Sequence, residues 1–141
     1  MRITPRGLAA SAVATLILAA AVPAAANVPL QGEGVWKNPK GSVHVELKPC
    51  GTEICGYVVY ASPKAEKDAR EAGTPKLVGM QLLRGFKVGA DRIGRGKVFV
   101  PDLKGTFSGT AEQVDANTLR VKGCLFANVL CKTQLWTRVP G

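Results

Sequence analysis

GVWKNPKGSVHVELKPCGTEICGYVVYA, residues 34–61, is the stretch on which the fold turns. Within it Val43, Val45 and Leu47 alternate with His44, Glu46 and Lys48. A period of two is that of a strand with one face buried and the other in water. Asn38-Pro39-Lys40-Gly41 just before it carries turn chemistry, because proline presets φ and glycine accepts a left-handed backbone. GVWKN on one side and ICGYVVYA on the other are further β-forming runs. The stretch therefore reads as three strands joined by tight connections.

Working outward, the same grammar recurs to the end of the chain. KLVGMQLLRGF (76–86), GKVFV (96–100), GTFSGTAEQ (105–113), TLRVKG (118–123) and KTQLWTRV (132–139) are rich in β-formers and bounded by Gly, Pro or Asp. Asp115-Ala116-Asn117 reads as another hairpin connection. One segment breaks the pattern. SPKAEKDAREAG (62–73) offers Ser62 as an N-cap, Pro63 at the first helical position and Gly73 as a stop. Its apolar face is only Ala65, Ala69 and Ala72, so a short surface helix or a mobile flap is expected. Eight strands with short connections point to an all-β, antiparallel up-and-down barrel, since closure removes exposed sheet edges. A two-sheet sandwich is the alternative, but needs longer crossings.

The start of the chain belongs to something else. Arg2 and Arg6 precede an apolar run from Leu8 to Val22, followed by Ala24-Ala25-Ala26. This is the pattern of a secretory signal peptide, too short for a membrane anchor. Cleavage after Ala26 leaves one domain at 27–141, with no further run long enough to span a membrane. The expected location is periplasmic or secreted. That compartment bears on Cys50, Cys55, Cys124 and Cys131, all within 27–141. An even count in an oxidising setting favours disulfides. Three pairings are open, and the local ones, Cys50 with Cys55 and Cys124 with Cys131, suit short loops between strand ends. A zinc site wants tighter spacing or histidines, and His44 is the sole histidine. A redox pair wants CxxC before a helix, which neither pair offers.

Without Arg2 and Arg6 the chain holds 17 Lys and Arg against 10 Asp and Glu, a net charge of +7. The densest basic stretch is Arg84–Lys97, with Arg84, Lys87, Arg92, Arg95 and Lys97 against Asp91. Solubility explains such a balance, and an anionic envelope polymer would be the sharper partner. Phe86 is the main aromatic interleaved there, which argues against a nucleic-acid platform.

Taken together, GVWKNPKGSVHVELKPCGTEICGYVVY, GKVFVPDLKGTFSGT, LRVKGC and CKTQLWTRV resemble the secreted bacterial family catalogued as domain of unknown function 2147. The resemblance covers nearly all of residues 27–141 and implies a small lipocalin-like, calycin-type barrel with no established catalysis. The family's YDPxxGxxY step stands here as FVPDLKGTF, so Phe99 and Phe107 replace tyrosines and Val100 replaces an Asp. Gly34-Val35-Trp36 is similar to the GxW opening of the first lipocalin strand. That likeness implies Trp36 packing against a basic side chain of the last strand, for which Arg138 is the match. A guanidinium over an indole contributes about 0.5–2 kcal/mol.

Catalytic sets are weak. His44 sits on the polar face of an alternating strand, no serine lies in a GxSxG turn, and Glu46, Glu53 and Glu112 show no spacing that pairs them. GADRIGRG lacks the register of a dinucleotide loop. No metal or cofactor is implied, and the reading is of a protein that is not an enzyme. Large side chains at Tyr57, Met80, Phe99 and Phe107 are the candidates to line a cavity for a small, partly apolar molecule. They equally suit a solid core, which a chain this small needs for stability.

Overall fold

Alternation in the strands becomes a closed surface in three dimensions. A computed structural model describes residues 20–21, 33–126 and 129–141. Its strands are β1 Gly34–Lys37, β2 Val43–Cys50, β3 Glu53–Ala61, β4 Gln81–Val88, β5 Gly94–Val100, β6 Gly105–Asp115, β7 Thr118–Cys124 and β8 Cys131–Arg138. Each pairs antiparallel with the next, and β8 returns to β1, giving a closed eight-stranded up-and-down barrel. The signal peptide expected at 1–26 lies outside the described residues apart from Ala20 and Ala21. Among the described residues no helix is long and apolar enough to cross a membrane.

The period of two does what it promised in β2: Val45 and Leu47 are 0% and 3% exposed. In β7 Leu119 and Val121 turn inward while Arg120 and Lys122 stay exposed. At one end of the barrel lie the start of β1 and the turns β2–β3, β4–β5 and β6–β7. We call it the closed end. Trp36, Val45, Leu47, Val58, Phe86, Ala111 and Leu119 pack there into one apolar cluster. The packing is tight enough that Gly96 admits no side chain, since a Cβ would stand 2.6 Å from Phe86 Cδ2. The open end carries the β1–β2 turn, the β3–β4 crossing, the β5–β6 turn and the β7–β8 loop.

Helix α1, Pro63–Glu71, starts as its cap chemistry dictates: the Ala65 N–H donates to Ser62 Oγ at 3.1 Å, and Pro63 fills the first turn. Ala69 is 1% exposed and Ala65 packs half-buried beside it, so the helix docks through small residues while its lysines face water. The strand expected over 76–86 begins only at Gln81. The reason is local. Glu66 accepts the N–H groups of Leu77 (3.0 Å) and Val78 (3.1 Å), so residues 76–80 form a strap tied to α1 that reaches β3 only at its end, where Gly79 (φ +91°) donates to the Val58 carbonyl at 2.7 Å.

Two disulfides, Cys50–Cys55 and Cys124–Cys131, join the ends of adjacent strands, one at each end of the barrel. Among the described residues no cysteine is free. Such bridges fit an oxidising, extracytoplasmic setting.

Candidate functional site

Register decides what faces inward at the open end. β7 and β8 pair Leu119 with Trp136, Val121 with Gln134 and Gly123 with Lys132. Because side chains two apart share a face, Trp136, Gln134 and Lys132 rise in a line up the inner wall from floor to rim. Trp136 Nε1 donates to Gln134 Oε1 at 2.9 Å, which satisfies the indole inside an apolar setting. Opposite stand Val98 and Phe107, cross-strand partners from β5 and β6, with Leu83 of β4 and Val43 of β2 between.

These walls enclose a cavity of about 480 Å³ above the packed cluster. Its lining is mostly apolar, with Asn38, Gln134 and Lys132 as polar groups. Pro101, Asp102 and Leu103 of the β5–β6 turn and Leu125 and Leu130 of the β7–β8 loop form the rim. Gly123 helps keep the space empty. It lines the cavity, and a Cβ there would meet nothing within 4 Å. The barrel is thus packed at its closed end and opens into a cavity at the other.

Phe99 and Phe107 both line this space. Phe99 is half-buried, with the Arg84 guanidinium carbon 5.3 Å from its ring centroid. Tyr57 lies elsewhere. It pairs across strands with Glu46, and Lys48 Nζ stands 4.7 Å from its ring centroid, so the phenol belongs to the outer surface. Its neighbours Gly56 and Val58 take the inward positions. Met80 falls in the strap before β4 and packs half-buried against the core cluster. Trp136, Gln134, Lys132, Val121 and Gly123 were not anticipated. Their signal was the period of two running back from Arg138 through Trp136 and Gln134 to Lys132.

The seam at the closed end joins Trp36 and Arg138, cross-strand partners of β1 and β8. The Arg138 guanidinium carbon is 4.2 Å from the Trp36 ring centroid. Its Nε donates to the Ala116 carbonyl at 2.8 Å and its Nη1 to the Glu33 carbonyl at 3.1 Å. Gly34, at φ +128°, is the residue this requires, because a Cβ there would collide with Arg138 Nη1.

The ionisable groups are mostly engaged with one another. Glu46 pairs with Lys48, Glu53 with Lys87 and Glu112 with Arg120. His44 stacks on Tyr60 with ring centroids 4.5 Å apart. In the basic stretch 84–97, Arg95 grips Asp91 at 2.7 Å, and with the Ile93 N–H holds that carboxyl down to about 2. Lys97 donates to Ser108 Oγ, and Arg84 is spent on Phe99 and the Gln81 carbonyl. Arg92 borders a small recess of about 190 Å³ that also holds Asp91, Glu112 and Asp115. Among the described residues no cluster of three or more His, Cys, Asp or Glu could hold a metal ion.

Comparison with known proteins places this geometry. The model of a family described as "Uncharacterized protein conserved in bacteria (DUF2147)" matches residues 34–138. A solved structure of the protein HP1028 from the human pathogen Helicobacter pylori, described as belonging to the lipocalin family, superposes with a TM-score of 0.59. It is 16% identical and the match covers 77% of this chain and 83% of that one, a likeness of fold alone. No curated protein sequence matches the chain.

Proposed function

Starting from the membership of this chain in the DUF2147 family of bacterial proteins, with its lipocalin-like barrel, we propose that it is an exported binding protein without catalytic activity. It holds a small, partly apolar molecule in the open-end cavity. The observation that carries this reading is that cavity, whose volume of about 480 Å³ suits a small ligand. Phe107, Phe99, Val98 and Val121 give the apolar walls, while Gln134 and Lys132 orient the ligand's polar end. Glu46, Glu53, Glu112 and His44, the acid–base candidates of the sequence, are engaged with partners away from the cavity. Export is supported by the leader pattern of residues 1–26 together with the two disulfides.

The test is native mass spectrometry of protein purified from its own periplasm. A releasable small molecule is expected. Ligand-free protein that also fails to shift its Trp136 fluorescence with any apolar probe would sink the reading, because Trp136 forms the cavity floor. N-terminal sequencing of the same material should begin at Asn27.

A further inference from the structure

Four large apolar side chains stand in water around the cavity mouth. Phe126 is 81% exposed, Leu130 70%, Val129 60% and Leu103 60%. The first three sit on the β7–β8 loop that Cys124–Cys131 closes, and Leu103 on the β5–β6 turn across the mouth. The loop is folded rather than extended: the Val129 N–H donates to the Phe126 carbonyl at 2.8 Å and the Leu125 N–H to the Leu130 carbonyl at 3.2 Å. Phe126 (φ 49°) and Leu130 (φ 56°) both adopt the left-handed region, which bulky side chains seldom enter. Strain is therefore held in a loop whose effect is to point apolar groups outward, a pattern found at functional sites.

Part of the charge at this end is internally cancelled: on α1, Lys64, Lys67 and Arg70 each pair with an acid four residues away. Lys104, next to Leu103, and Lys132, next to the disulfide, have no ion-pair partner among the described residues. Nor do Lys40 and Lys76 on the other connections of the same end. Asp102 is the one carboxylate on the cavity's rim. Apolar tips ringed by unpaired lysines match the interface of an anionic bilayer, where the tips enter the acyl boundary and the ammonium groups meet headgroups.

We propose that the open end of the barrel docks on a membrane surface carrying anionic lipid. Leu125, Leu130 and Leu103 belong both to the rim and to the cavity lining, so the apolar path is continuous. A partly apolar molecule can pass between bilayer and cavity without crossing water. Only this passage rests on the cavity reading; docking stands separately.

Co-flotation of the full exported protein with phosphatidylcholine vesicles, with and without a phosphatidylglycerol fraction, tests it. Flotation is expected with the anionic vesicles and should weaken as salt rises. Neither Phe126 nor Val129 lines the cavity. The double variant F126S/V129S should lower partitioning roughly tenfold or more, while apolar-probe binding in solution stays unchanged. Lys104→Gln or Lys132→Gln should each lower it about fivefold. F126W should gain a blue-shifted emission on anionic vesicles alone. Near-UV circular dichroism and intact-mass analysis establish that the variants keep fold and disulfides. Wild type that floats with neither vesicle overturns the proposal, as does F126S/V129S floating like wild type. A concentration-dependent dimer that F126S/V129S abolishes, without flotation, would mean that a second copy covers the rim instead. Flotation that persists while no probe enters the cavity would leave docking standing and defeat the cavity reading alone.

Discussion

Arg138 concentrates more of the closed end than any other residue. It stacks on Trp36 and ties the Glu33 and Ala116 carbonyls, joining β8 to the start of β1 and to the β6–β7 turn. Arg138→Ala removes the cation–π contact and two charge-assisted bonds, and should lower unfolding free energy by about 2–3 kcal/mol. Arg138→Lys should recover only part, because an ammonium lacks the planar fork that serves ring and carbonyls together. Chemical denaturation measures both, and an unchanged midpoint for R138A would show the seam to be decorative. Gly123 poses the opposite test. Gly123→Leu adds a side chain where space is open, so the fold should hold while apolar-probe binding falls at least tenfold; fluorescence titration reads this. The Trp36–Arg138 pairing was legible because a GxW opening and a WTR ending are local signals. The placement of Tyr57 was not. β3 carries large groups on both faces, so no polar–apolar alternation fixed its phase, and the irregular register between His44 and Val45 shifts the neighbouring strand as well.

Among the elements, the strap of residues 76–80 shows how one side chain can cancel a strand. Its sequence has the composition of β-structure, yet Glu66 takes the Leu77 and Val78 N–H groups that a ladder would need. Those two bonds also hold the Glu66 carboxyl below its ordinary value of 4.5. A depressed folded pKa means the anchorage is complete above that value and is lost as acid protonates the carboxylate. The Leu77 and Val78 amide resonances should therefore move together, with a midpoint below 4.5, while strand amides stay still. Glu66→Ala should reproduce the acid end state at neutral pH and lower Tm, with the barrel intact by circular dichroism. Most strands were readable as β-forming runs bounded by turn residues, and the helix by its cap. This strap was not, because its determinant sits on the previous element, 11 and 12 residues away.

Across the whole molecule, two staples hold opposite ends of one barrel. Each closes a short loop, so removing Cys124–Cys131 as the double serine variant should cost about 2 kcal/mol in the loop-entropy view. Its further effect should be a loosened mouth, seen as faster proteolysis within the β7–β8 loop. Thiol titration of the unfolded, unreduced protein should find no reactive cysteine. The barrel itself was legible as eight β-forming runs separated by turn residues, the period of two being clear in β2 and β7. Whether it was full or empty was not, because volume is a sum over facing walls. Phe86 and Trp36 fill the closed end, whereas glycine at 123 leaves its share of the open end vacant.

That the seam joins β1 to β8 also sets a timetable. The bond from Arg138 to the Glu33 carbonyl spans 105 residues of sequence, the longest separation among the side-chain hydrogen bonds described. Hairpins can form one after another as the chain emerges, but the ring cannot shut until its last strand arrives, and contacts of such separation slow folding. Until then the free edges of β1 and the newest hairpin remain open to foreign strands. A chain cut short before Cys131 would stay in that exposed state indefinitely, so the arrival of β8 is what shields both edges at once.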